Sequence, residues 1–77
     1  MENSQQFQYM MLSRLQSDCE YFLGYGKRSV RNLWADNIVK HIAEMKRLWN
    51  ELIIKPEWLS LENIIEYENK MLNDIQN

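Results

Sequence analysis

Only three residues of the 77 resist a helix: Gly24, Gly26 and Pro56. They divide the chain into stretches in which apolar residues recur every three or four positions, the repeat of one helical face. In the first stretch the stripe passes through Met11 or Leu12, Leu15, Cys19 and Phe22. It predicts a helix over about 4–23, with Asn3 or Ser4 accepting its first backbone N–H groups and Gly24 closing it in a left-handed cap. The second stripe runs through Ile38, Ile42, Met45, Trp49 and Leu52. It predicts a helix over about 37–52, capped by Asp36 or Asn37. Pro56 has no N–H and turns Lys55 away from helical angles, so this helix must stop before it. Ser60 caps the third helix, about 61–75, whose stripe continues through Ile64 or Ile65, Met71 or Leu72, and Ile75. Leu59 before the cap and Ile64 after it are placed as a hydrophobic staple. Residues 29–34 form a short segment between the first two helices, although the spacing of Val30, Trp34 and Ile38 also permits one helix over 29–52. The fold predicted is all-α: a compact three-helix bundle with a short extra helical segment between helices 1 and 2, in a single domain over 1–77.

A chain this short buries only about 60–65% of its unfolded surface. It compensates with large side chains: three Trp, four Tyr, two Phe and five Met. Trp34, Trp49, Trp58, Tyr21 and Tyr67 are expected mostly in the core, with Trp58 folding its connector back onto the bundle. The single cysteine, Cys19, fits a reducing compartment and no disulfide framework. No stretch resembles a signal peptide or approaches the roughly 20 apolar residues of a membrane span. A bacterial cytoplasmic location is the expectation.

The formal net charge is −2, unevenly placed. Residues 27–47 carry Lys27, Arg28, Arg31, Lys40, Lys46 and Arg47 against Asp36 and Glu44, whereas 48–77 carry two basic residues against six acidic ones. Two such segments attract each other when packed side by side. The alternative is that the middle segment presents a basic face to nucleic acid or an acidic partner.

One combination of motifs is specific. Asp18-Cys19-Glu20-Tyr21-Phe22-Leu23-Gly24-x-Gly26-x-Arg28 is followed by Leu33-Trp34-Ala35, by Ile42-Ala43-x-Met45 with Leu48-Trp49, and by Lys55-Pro56-Glu57-Trp58-Leu59-Ser60. Over about residues 9–72 this resembles a large polyvalent protein-associated domain, the eleventh of that series. The resemblance implies a small α-helical domain, found within giant multidomain proteins of phages and conjugative elements and as short free-standing proteins. It implies no enzymatic activity. Tyr25 stands between the glycines where the family usually has a small polar residue.

The chemistry-bearing residues read as structural. Cys19 lies on an apolar stripe, and Asp18 and Glu20 beside it would raise its pKa. His41, the single histidine, sits at the edge of the second stripe, partly exposed or hydrogen-bonded. One Cys and one His cannot close a zinc site. Glu68 interrupts the third stripe and should reach a Lys, Arg or Trp N–H, since an unpaired buried acid costs several kcal/mol. Gly24-Tyr25-Gly26 lacks the spacing of a phosphate loop. No catalytic, cofactor-binding or metal-binding residue is assigned.

The expected function is recognition of a protein partner by a non-enzymatic domain from a mobile genetic element. Tyr25, Lys27, Arg28 and Arg31 are its expected contact residues, with Tyr9 a further exposed aromatic. The alternatives are a small phage protein that blocks a host nuclease or restriction system, and a weak nucleic-acid binder using the basic segment. Homodimerisation would bury spare apolar surface.

Overall fold

Helix 1 needs only its apolar stripe to form, and it runs long. In the computed structural model, which describes residues 2–24 and 30–76 and the side chains of 5–24 and 30–73, α1 spans Glu2–Gly24. Two 3-10 turns follow, Val30–Asn32 and Trp34–Asp36. Then come α2, Ile38–Glu51, and α3, Leu61–Gln76. The architecture is a three-helix bundle measuring 43 × 22 × 18 Å.

The core is the meeting of three stripes. From α1 come Leu12, Leu15, Cys19 and Phe22. From α2 come Ile38, His41, Ile42, Met45 and Leu48, and from α3 Ile64 and Met71. Leu33, Leu52 and Leu59 close its ends from the connectors. Of the alternatives left open by the spacing, Leu12, Ile64 and Met71 are the buried members. Ile65 is exposed, and the side chain of Ile75 lies outside those described.

The helix ends are set by side chains. Asn37 Oδ1 accepts from the Lys40 N–H at 2.9 Å, so Asn37 rather than Asp36 caps α2. At the other end Lys55 Nζ donates to the carbonyls of Trp49, Asn50 and Leu52 at 2.7, 3.0 and 2.7 Å. A cation there suits both the orphaned carbonyls and the negative end of the helix dipole. The same ammonium stands 4.7 Å from the Trp49 ring centroid. At α3, Ser60 Oγ accepts from the Asn63 N–H at 3.1 Å and Asn63 Oδ1 accepts from the Ser60 N–H at 3.0 Å, a reciprocal capping box. Leu59 and Ile64 are both fully buried, as a staple requires.

Two expectations change and one open alternative closes. α1 starts at Glu2, so Asn3 and Ser4 lie inside it rather than at its cap. Gly24 is its last residue and has no positive φ, so the left-handed cap is not at Gly24. A continuous helix over 29–52 is excluded because Ala35 and Asp36 take left-handed angles, φ 55° and 51°. That conformation costs a non-glycine residue about 1–2 kcal/mol, and here it turns the chain from the 3-10 segment into α2.

Candidate functional site

His41 organises the surface beside α1. It is fully buried, not at a partly exposed edge, and it is hydrogen-bonded on both ring nitrogens. The Trp34 backbone N–H can only donate, so Nδ1 accepts from it, at 2.8 Å. Nε2 therefore carries the proton and donates to the Leu15 carbonyl at 2.9 Å. Burial holds the imidazole pKa below its ordinary value, partly opposed by the Leu15 hydrogen bond and the charge of Asp18. One neutral ring thus ties α2 to α1 and to the second 3-10 turn, and it fixes Trp34 at its mouth.

Trp34 is held there but not covered. It is 45% exposed, Trp58 is 46% and Tyr21 is 47%. Trp49 and Tyr67 are half-buried at the core's edge. This corrects the expectation that these five aromatics mostly form the core. Aliphatic residues with Phe22 fill the space between the helices. Tyr21 lies two residues from Cys19 on α1, about 200° around the helix. Trp34 and Trp58 sit in the connectors, where no helical register turns them inward. Trp49 stays at the edge because its Nε1–H donates to the Leu59 carbonyl at 2.9 Å.

Two clefts flank α1. The first, about 270 Å³, is lined by Trp34, Leu33 and Asn32 with Met11, Arg14 and Asp18 of α1. The second is shallower and more open, about 570 Å³, where Trp58 faces Tyr9, Met10, Ser13 and Arg14. Arg14 borders both. Neither Arg14 nor Asp18 has a side-chain hydrogen bond or ion pair among the described residues. Phe7 and Met10, 62% and 65% exposed, extend the face toward the start of α1. The result is an uncovered strip of Phe7, Met10, Arg14 and Tyr21 framed by two tryptophans.

The other sequence candidates lie elsewhere. Tyr25, Lys27 and Arg28 fall outside the described residues. Arg31 is exposed in the first 3-10 turn and is not among the residues that line the Trp34 cleft. Tyr9 is not an exposed aromatic: it is half-buried and its hydroxyl donates to the Ile54 carbonyl. Gln5 Oε1 accepts from the Ile53 N–H at 3.0 Å, so the second connector is laced onto the first turns of α1.

Cys19 and Glu68 are structural in their surroundings. Cys19 is fully buried, 3.6 Å from the Met45 sulfur. Burial first, then Asp18 and Glu20, push its thiol up to about 12, far from a nucleophilic thiolate. Glu68 accepts from Lys46 Nζ at 3.2 Å, joining α3 to α2 across the charge division anticipated between the two segments. Arg47 instead pairs within its own helix, with Glu44 at 2.5 Å and Glu51 at 2.9 Å. The Arg47 hydrogen bond holds the Glu44 carboxyl below its usual range. On the far flank, Tyr67 accepts from Gln16 at 3.2 Å and donates to Glu20 at 2.9 Å, bracing α3 against α1. Burial raises its phenol pKa. Among the described residues no group of acids, His and Cys is placed to hold a metal ion, and no helix is long and apolar enough to cross a membrane.

A family model described as Large polyvalent protein-associated domain 11 matches residues 5–71. No curated protein and no solved structure matches the chain. The matched span runs from the first turns of α1 into α3, and it includes both clefts. This chain therefore belongs to the family of large polyvalent protein-associated domain 11.

Proposed function

We propose that this member of the family is a non-enzymatic protein-docking domain of a phage or conjugative element, and that it docks through the outer face of α1. The observation that carries the reading is the composition of that face. Trp, Tyr and Arg dominate the energetics of protein contacts; Trp34 and Trp58 each share a cleft with the exposed Arg14, and Tyr21 is exposed two turns further along the same side of α1. A helix that completed its packing inside the bundle would carry polar residues there. The backbone strain at Ala35 and Asp36 lies beside the presented tryptophan, where strained residues are often functional. The occupant implied is a protein segment with apolar side chains for the two clefts and a carboxylate for Arg14.

The non-enzymatic part of the reading draws on Cys19 and His41. The first is a buried thiol with a raised pKa, and the second uses both ring nitrogens to hold backbone. A nucleic-acid surface is less favoured, because Lys46, Arg47 and Lys55 are engaged by carboxylates or helix carbonyls. Phosphate contacts would have to break those pairs.

The test is affinity capture with the wild-type chain and with Trp34→Ala combined with Trp58→Ala. The reading expects proteins retained by the wild type to be lost by the variant, with its circular dichroism unchanged. Retention of the same set by a folded variant would overturn it.

A further inference from the structure

We infer that the outer face of α1 binds a second copy of this chain, with the two α1 helices antiparallel across a twofold axis. The inference rests on the docking reading above and names its partner. Phe7, Met10, Arg14, Ser17 and Tyr21 are spaced alternately by three and four, the repeat of a two-helix seam. They lie on the side of α1 away from Leu12, Leu15, Cys19 and Phe22, which face the core. Ser17, small and exposed, lets two helices approach at the middle of the seam.

A twofold interface must be complementary to itself, and this face meets that demand. Arg14 and Asp18 stand one turn apart, border the same cleft, and have no partner side chain among the described residues. Laid end for end, Arg14 of one copy comes beside Asp18 of the other, and the pairing occurs twice. A parallel pair would set Arg14 against Arg14, and like charges at close quarters disfavour that register. The antiparallel operation also carries Met10, which borders the Trp58 cleft, over Tyr21 of the other copy. Apolar contacts then lie on either side of the two charged pairs, and those pairs fix the register of the helices.

Sedimentation equilibrium of the full chain tests this. The expected result is a concentration-dependent monomer–dimer equilibrium. Arg14→Asp and Asp18→Arg should each weaken association about tenfold or more, and the two together should restore it. Met10→Ser carries the same comparison if Arg14→Asp fails to fold, since it should weaken association while leaving the circular dichroism unchanged. A wild type that stays monomeric at high concentration would overturn the inference, as would a double swap that leaves association as weak as the single ones. The docking reading is separable: a monomeric chain whose Trp34→Ala/Trp58→Ala variant still loses a captured foreign protein keeps the surface and loses only the second copy.

Discussion

α2 and α1 are both amphipathic, but they differ in how many faces carry apolar side chains. α2 has one: Ile38, Ile42, Met45 and Leu48 are buried, and the opposite side holds Arg47 between Glu44 and Glu51. α1 has two. Leu12, Leu15, Cys19 and Phe22 are fully engaged inside, while Phe7, Met10 and Tyr21 stand outside with Arg14 among them. Single exposed apolar residues such as Val39 on α2 are ordinary. A strip of them at seam spacing, framed by two tryptophans, is not. The difference teaches that α2 is completed by the fold and α1 is not.

The sharpest way to break the comparison is to truncate one residue on each face of α1. Phe22→Ala should cost about 3–5 kcal/mol by opening a cavity in the core. Phe7→Ala should stay within about 0.5 kcal/mol in urea unfolding of dilute protein, as surface changes do. Comparable losses at both positions would erase the distinction between the faces.

His41 comes next, because it joins α2 to the Trp34 side of α1. His41→Leu leaves the Trp34 N–H without its acceptor and takes from the Leu15 carbonyl the bond it makes beyond its own helix, and should cost about 1–3 kcal/mol. The same ring gives a pH dependence. Its folded pKa is lowered, so the unfolded chain binds the proton first. Stability should therefore fall as pH drops below about 6.5, the ordinary histidine value, and thermal melts across that range should lose this slope in His41→Gln. A slope unchanged in the variant would remove His41 as its source.

Smaller effects sharpen the picture of α3. Ser60→Ala should cost about 1 kcal/mol through loss of the capping box, measured by chemical denaturation. Glu68→Gln should cost no more than about 1 kcal/mol, since its pair with Lys46 is partly exposed.

The sequence made the bundle legible wherever periodicity and caps act alone. The stripes of α1 and α2, the stop before Pro56 and the Ser60 cap all follow from spacing and backbone chemistry. The outer strip is not legible there, because size alone sends Trp34, Trp58 and Tyr21 inward. Size says how much surface a side chain can bury, not which way its backbone turns it. At Trp34 that direction depends on the left-handed pair Ala35 and Asp36 and on a hydrogen bond to His41 seven residues away. Neither leaves a pattern in the chain. The 3-4 spacing of Phe7, Met10, Arg14, Ser17 and Tyr21 is the readable signal of that strip, and the stronger stripe of the same helix masks it.

The most direct measurement is the unfolding free energy of a triple variant, Phe7→Ser, Met10→Ser and Tyr21→Ser, in dilute solution, set beside its association at high concentration. An outer face made for contact predicts stability within about 1 kcal/mol of the wild type and association abolished. A loss of several kcal/mol in the dilute chain, matching Phe22→Ala, would mean that these side chains hold the bundle together and that α1 has no second face to offer.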